Sequence, residues 1–298
     1  MTSSQAALVP QGVAAPVWQT SRHRIDLSGV RIMGIVNVTP DSFFDGGREA
    51  DHACAHCDAL LADGADILDI GGESSRPGSV GVDAAREWAR IEPVLRYALG
   101  LGVPVSVDTC KAGVMQRALD LGADIINDIA ALRAPGAIEV VASHPTCGVC
   151  LMHMAGEPRT MQLAPHHDDV VAAVRDHLAE RAVLLQDRGV VRERIVLDPG
   201  IGFGKRVEDN FALIRGQAAL LALGYPVLAG WSRKSSLGAV TGRDVGQRVV
   251  ASVAAALAAV TCGARIVRVH DVAETADALK VWSAAGLPER SVADLRDD

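Results

Sequence analysis

Aromatic residues are scarce in this chain: four Trp, two Tyr and four Phe among 298 residues. A core of the size this length allows must therefore be filled by aliphatic side chains and alanine. Alanine favours helices and clustered Val and Ile favour strands, so a mixed α/β protein is expected. Cysteine is also sparse, six in all, too few for a disulfide framework to hold a chain of this length. Two C-x-x-C pairs, Cys54 with Cys57 and Cys147 with Cys150, come closest to a zinc or redox signature. The first falls in a helical pattern and the second runs into an apolar strand, so reduced, packed thiols are expected. Excess positive charge is missing. The formal net charge of −7 argues against general binding to nucleic acid or acidic membranes. Long hydrophobic runs are missing too: Val249–Val260 is too short to span a bilayer, contains Ser252, and is expected to form a buried helix. Residues 1–20 have neither the basic start nor the sustained apolar stretch of a leader, which makes the cytoplasm the expected compartment.

What is present is alternation. Short β-branched runs recur at Ile32–Val36, Ile67–Ile70, Val103–Val107, Ile125–Asp128, Gly148–Met152, Ile195–Leu197, Pro226–Ala229 and Ile266–Val269. Between them lie helical patterns, clearest over 166–188, where Val170, Val174, Leu178, Ala182 and Leu185 repeat at three- and four-residue spacing. Glycines at 64, 102, 122, 189, 224 and 263 fall between a helical pattern and the next strand, where a helix commonly ends on a left-handed residue. Eight strand–helix units with fully apolar strands predict a parallel sheet covered by helices, and closing it gives a (β/α)8 TIM barrel. A doubly wound open sheet is the alternative. The barrel is placed at 30–285, after an extension at 1–29 and before a tail at 286–298.

Polar residues collect where the strands end. Asn37 and Asp41 follow the first, Gly71 through Gly78 the second, Asp108 ends the third, and Asn127 and Asp128 lie in the fourth. His153 follows the fifth, Asp198 the sixth, Ser232 through Ser235 the seventh, and Arg268 and His270 belong to the eighth. In a parallel barrel these ends share one face, the face on which barrel enzymes carry their chemistry. Helix capping explains one or two such residues, such as Asp41 or Thr109, but not Asp, Asn, Lys, Arg and His converging at seven ends. Lys234, Arg233 and Arg268 with glycine-rich loops suit an anion such as phosphate. Asn37 and Asp41 offer hard oxygen ligands for magnesium, while Asp108, Asn127 and Asp198 suit a donor-rich heterocycle. The segment GIGFGK at 200–205 fits neither the dinucleotide fingerprint nor the Walker spacing. His166-His167-Asp168-Asp169 reads as a solvated helix start rather than a metal cluster, and His153 as a packing or supporting histidine.

Taken together, the segments MGIVNVTPDSFFDGG (33–47), DGADILDIGGESSRPGS (63–79), SVDTCKA (106–112), INDI (126–129), LMHMAGEPRTMQ (151–162), LDPGIGFGK (197–205), GYPVLAGWSRKS (224–235) and RVHDV (268–272) resemble the dihydropteroate synthases, in unbroken order from about residue 30 to 285. The resemblance implies a (β/α)8 fold, a magnesium requirement, a homodimer, and the joining of a dihydropterin diphosphate to 4-aminobenzoate with release of pyrophosphate. It makes Asn37 the magnesium ligand and Ser75 a diphosphate contact. It makes Asp108, Asn127, Asp198 and Lys234 the pterin-binding set, and Arg268 and His270 the pyrophosphate pair. Phe203, Lys234, Ser235, Arg76 and Pro77 become the walls of the aminobenzoate site. The catalytic set expected from both readings is Asn37, Asp41, Asp108, Lys234, Arg268 and His270. The chain departs from the commoner family wording at Ser75, where threonine is frequent, and at Ser236-Leu237-Gly238, where a phenylalanine often follows. A pterin-binding methyltransferase and a non-catalytic pterin-binding relative are the rival readings: the first would not need loops like NVTPDSF or SRKS, and the intact Asn37, Asp41, Ser75, Arg76 and Lys234 argue against the second.

Overall fold

The structure, a computed structural model, describes residues 16–39, 49–74, 78–79, 81–156, 161 and 167–286. It opens with a hairpin, β1 (Val17–Gln19) and β2 (Arg24–Asp26). Eight strands follow: β3 (Arg31–Asn37), β4 (Ile67–Gly71), β5 (Val105–Asp108), β6 (Ile125–Asp128), β7 (Gly148–Met152), β8 (Ile195–Asp198), β9 (Leu228–Ala229) and β10 (Ile266–Val269). All pair in parallel, in the order β8-β7-β6-β5-β4-β3-β10-β9. A parallel bridge from Leu197 to Val227 joins the two ends of that order and closes the barrel. The open-sheet alternative is thereby excluded. Single helices connect the first strands: α1 (Glu49–Ala62), α2 (Ala84–Ala98), α3 (Ala112–Leu121), α4 (Ala137–Ser143) and α5 (Val170–Gln186). The connections after β8 and β9 each carry two, α6 (Val207–Arg215) with α7 (Gln217–Leu221), and α8 (Ser235–Thr241) with α9 (Val249–Thr261); α10 (Val272–Ala284) ends the array.

Two strands begin later than their apolar runs, for one reason. Pro104 and Pro226 accept bonds through their carbonyls, from Leu68 and Leu197, but have no N–H to return. Regular pairing therefore starts at Val105 and Leu228. The six inter-unit glycines all have positive φ; Gly122, at +110°, ends α3 in the left-handed conformation that costs a side chain most. In the described part of the helix start, 167–169, Asp169 is a cap and accepts from the backbone N–H of Ala172 at 3.0 Å. The helix over 249–260 forms, but it is not buried on all sides. Ser252, Ala255, Ala256, Ala259 and Val260 face inward while Val250 is 82% exposed.

Strand side chains alternate between the helix layer and the barrel interior. Met33, Ile67, Ile125, Cys150, Val196, Leu228 and Ile266 form an inner floor, sealed from below by Trp18, Ile25 and Leu27 of the hairpin segment. The indole N–H of Trp18 donates to the carbonyl of Arg194 at 3.0 Å. One step of two residues up each strand from that floor come Ile35, Asp69, Asn127, Met152, Asp198, Gly230 and Arg268. The interior thus changes from apolar to polar toward the C-terminal ends of the strands.

Candidate active site at the C-terminal mouth

The polar layer is a connected network. Arg268 lies across it: its Nε donates to Asp69 Oδ2 at 2.6 Å and a terminal nitrogen donates to Asp108 Oδ2 at 2.7 Å. Asn127 Nδ2 donates to the same Asp69 oxygen at 3.1 Å. Burial, aided by the charges of Asp69, Glu87 and Asp128, pushes the Asp108 carboxyl up to about 7 against the opposing pull of Arg268. Against the cost of burial, Asp69 and Asp108 hold the guanidinium of Arg268 firmly charged. Asp198 is 5% exposed; burial raises its carboxyl, while the N–H of Gly200 donates to Oδ1 at 2.7 Å and steadies the charged form. Gly230 faces its other oxygen, and a Cβ there would stand 3.8 Å from Oδ2, so glycine leaves room beside the carboxylate.

Lys234 enters from the loop after β9. Its Nζ lies 4.2 Å from the centre of the Phe203 ring. Burial lowers its ammonium to about 8, with Asp198 and Asp108 opposing and Arg268 assisting. The backbone that presents it is constrained at Arg233, which has φ of +59° although it is not glycine. Arg233 is held there by Asp271 at 2.5 Å and by Ser252 Oγ, which accepts from its N–H at 2.9 Å. Its charge is therefore matched by Asp271, not added to the cup's positive charge as the sequence suggested. His270 Nδ1 sits 2.9 Å from Ser232 Oγ, which also accepts from the His270 N–H, so the loops after β9 and β10 are tied together. Ser235, exposed, is the first residue of α8. Buried Ser236 accepts from Asn210 Nδ2 at 2.8 Å, and Asn210 Oδ1 accepts from the N–H of Gly202 at 2.7 Å. The unusual Ser236 thus ties α8 to the loop that carries Phe203.

That loop is organised by a lysine the sequence reading passed over. Lys205 is buried, and its Nζ donates to the carbonyls of Gly200, Phe203 and His153 and lies 2.9 Å from His153 Nδ1. Desolvation lowers it to about 7 and, with the lysine nearby, drives His153 down to about 2, so the imidazole is neutral. GIGFGK is a lysine-stapled loop whose cation turns onto its own carbonyls, the reverse of a phosphate loop.

Of the expected site residues, Asp108, Asn127, Asp198, Phe203, Lys234 and Arg268 stand in or against this network. His270 follows β10, Ser235 opens α8, and Asn37 ends β3 in register with Gly71, itself in register with Asp108. Asp41, Ser75, Arg76 and Pro77 lie outside the described residues, as does His166. Glu73, just before that gap, pairs with Lys111, which also pairs with buried Glu87.

The family model for pterin binding enzymes matches residues 33–270, a span running from β3 to His270. Dihydropteroate synthase of Neisseria meningitidis serogroup B is 52% identical over 283 residues, covering 92% of this chain and 99% of that one. The chain belongs to the dihydropteroate synthase family. Among solved structures, the Xanthomonas albilineans dihydropteroate synthase with 4-aminobenzoic acid superposes with a TM-score of 0.87 at 47% identity, covering 92% of this chain and 100% of that one. The Burkholderia cenocepacia dihydropteroate synthase complexed with 7,8-dihydropteroate gives 0.83 at 49% identity, over 91% and 97%. Membership in this family accounts for the order of the motifs along the chain. Asp69 and Lys205, both inside those motifs, were absent from the expected set. Their only signal was a charge inside an otherwise apolar strand and a lysine closing a glycine-rich loop.

Proposed function

We propose that the chain condenses (7,8-dihydropterin-6-yl)methyl diphosphate with 4-aminobenzoate, giving 7,8-dihydropteroate and pyrophosphate in folate biosynthesis. The observation that carries this reading is the inward layer of Asn127 and Asp198 with Lys234 above it, next to Arg268 and Asp108. Asp198 accepts from the amino group and ring N–H of the pterin, Lys234 donates to its carbonyl, and Asn127 reads the neighbouring edge. Arg268 and His270 take the diphosphate, with Ser75 as a further contact. Phe203 and Lys234, with Ser235, Arg76 and Pro77, bound the aminobenzoate. Among the described residues none stands as an obvious base for the amine, so the protein's work lies in departure of pyrophosphate, and Asp108 steadies the pterin cation left behind.

Magnesium fits the donors at the mouth. Asn37 supplies one hard amide oxygen at the end of β3, and magnesium characteristically takes few protein ligands and completes its shell with substrate phosphates and water. Asp41 is the second proposed contributor on that loop. When bound, the ion would neutralise the diphosphate as negative charge grows on it.

The chain is further proposed to act in the cytoplasm as a homodimer. Its six cysteines are free thiols, which suits a reducing compartment. A shallow apolar crevice between α9 and α10, lined by Leu257, Ala278, Val281 and Trp282, supports pairing through the late helices, with Val250 and Val281 exposed nearby. Among the described residues no helix is long and apolar enough to cross a membrane. Incubation with the two substrates and magnesium, followed by product mass, tests the reaction; absence of dihydropteroate under several conditions overturns it. Light scattering of the eluted protein tests the dimer, and a mass of one chain overturns it.

A further inference from the structure

We propose that Asp69 is a positioning residue that couples the pterin and phosphate halves of the site, by holding Asn127 and Arg268 on one carboxylate oxygen. The inference rests on the pterin reading above. Asp69 is fully buried on β4, facing inward at the level of Asn127, Asp198 and Arg268. Its Oδ2 accepts from Arg268 Nε at 2.6 Å and from Asn127 Nδ2 at 3.1 Å, while Oδ1 is buried and has no hydrogen-bond partner among the described residues. An aliphatic residue would pack this layer with less penalty than a carboxylate one of whose oxygens is left unpaired. The carboxylate's value must lie in what it orients.

Two orientations follow from donor and acceptor counting. Asn127 commits one amide hydrogen to Asp69, which fixes the flip of the amide and leaves its carbonyl oxygen as the end available to accept from a ligand N–H. Arg268 commits Nε, the nitrogen nearest its stem. Its terminal nitrogens then remain for Asp108 and for an anion, and the fork can trade Asp108 for phosphate oxygens without losing its anchor. Asp69 thereby presents an acceptor to the heterocycle and a donor fork to the leaving group from a single point.

The test uses the full chain with a pterin lacking the diphosphate, with pyrophosphate, and with steady-state constants for both substrates. Asp69→Asn keeps the volume and loses the charged double acceptor. It is expected to weaken pterin and pyrophosphate binding at least tenfold each, with less than twofold change in KM for 4-aminobenzoate. The double variant Asp69→Asn with Asn127→Asp exchanges donor and acceptor across the 3.1 Å bond, and is expected to recover pterin affinity at least fivefold over the single variant. Unchanged affinities in a folded variant, equal losses for all three ligands, or no recovery in the double variant overturn the proposal. If Asp69→Asn does not fold, NMR of the wild-type protein decides: the Arg268 Nε–H should resist solvent exchange both free and with pyrophosphate bound, and free exchange in either state overturns the proposal. Wild-type protein that binds no pterin overturns the functional reading and this inference together, whereas binding with an unaffected variant overturns this inference alone.

Discussion

At the scale of single residues, the barrel mouth holds carboxyls and ammonium groups away from their ordinary proton affinities, and pH dependence follows. Asp108 is raised to about 7, chiefly by burial. A carboxyl whose folded value lies above its unfolded one binds its proton more tightly in the folded state. Its ionisation therefore lowers stability progressively between about 4 and 7, and the penalty is complete above that range. Asp108→Asn should accordingly gain stability at pH 8 relative to wild type and little at pH 4, by chemical denaturation. If the ionised form steadies the pterin cation, kcat/KM for the pterin diphosphate should rise with pH toward a plateau above about 7. The rise should vanish, with much lower activity, in Asp108→Asn. Asp198 makes a different demand. Asp198→Asn replaces a charged double acceptor by an amide with one acceptor atom, and should weaken pterin binding by roughly 1.5–3 kcal/mol in calorimetry, as for loss of a charge-assisted bond.

At the scale of elements, the loops are held by bonds made between neighbouring units. The loop 200–205 depends on Lys205 from within and on Gly200 at its start. Gly200 has φ of +69°, and a Cβ there would collide with the carbonyl oxygen of His153. Its N–H also steadies Asp198. Gly200→Ala should therefore destabilise by at least about 2 kcal/mol, from left-handed strain and overpacking together, and should weaken pterin binding as well. Gly246→Ala is the control: nothing lies within 4 Å of a Cβ there, and a change within about 0.5 kcal/mol is expected. Urea midpoints of the two variants decide the comparison.

At the scale of the whole molecule, stability and chemistry sit at opposite ends of one barrel. The floor is closed by the hairpin, and Trp18 is its largest side chain, with no exposed surface. Trp18→Ala leaves a cavity under the inner layer and strands the carbonyl of Arg194. A loss of about 3–5 kcal/mol is expected in denaturant unfolding. Because the mouth is built from the far ends of the strands, the remaining folded protein should keep its KM values.

The chain's alternation of apolar strands and amphipathic helices determined the eight parallel units, because each strand must be covered on its outer face and each helix must bury one stripe. Strand ends were legible for the same reason: charged residues following apolar runs can only collect where the strands emerge. Asn127, Asp198, Lys234 and Arg268 were found that way, and the ordered motifs settled which family they belong to. Three features were decided only in three dimensions. The hairpin over 17–26 carries no periodicity long enough to read, yet it supplies the floor's tryptophan. Asp69 sits inside ILDIG, where one charge among aliphatic residues has no meaning until Arg268, 199 positions away, is folded against it. Arg233 reads as one more cation of the site, and only the packing of α9 and Asp271 against its loop makes it a clamp that delivers Lys234. Periodicity is a local property that repeats, and it survives in the linear chain. Partnership between single polar groups does not repeat, so it exists only when the barrel closes.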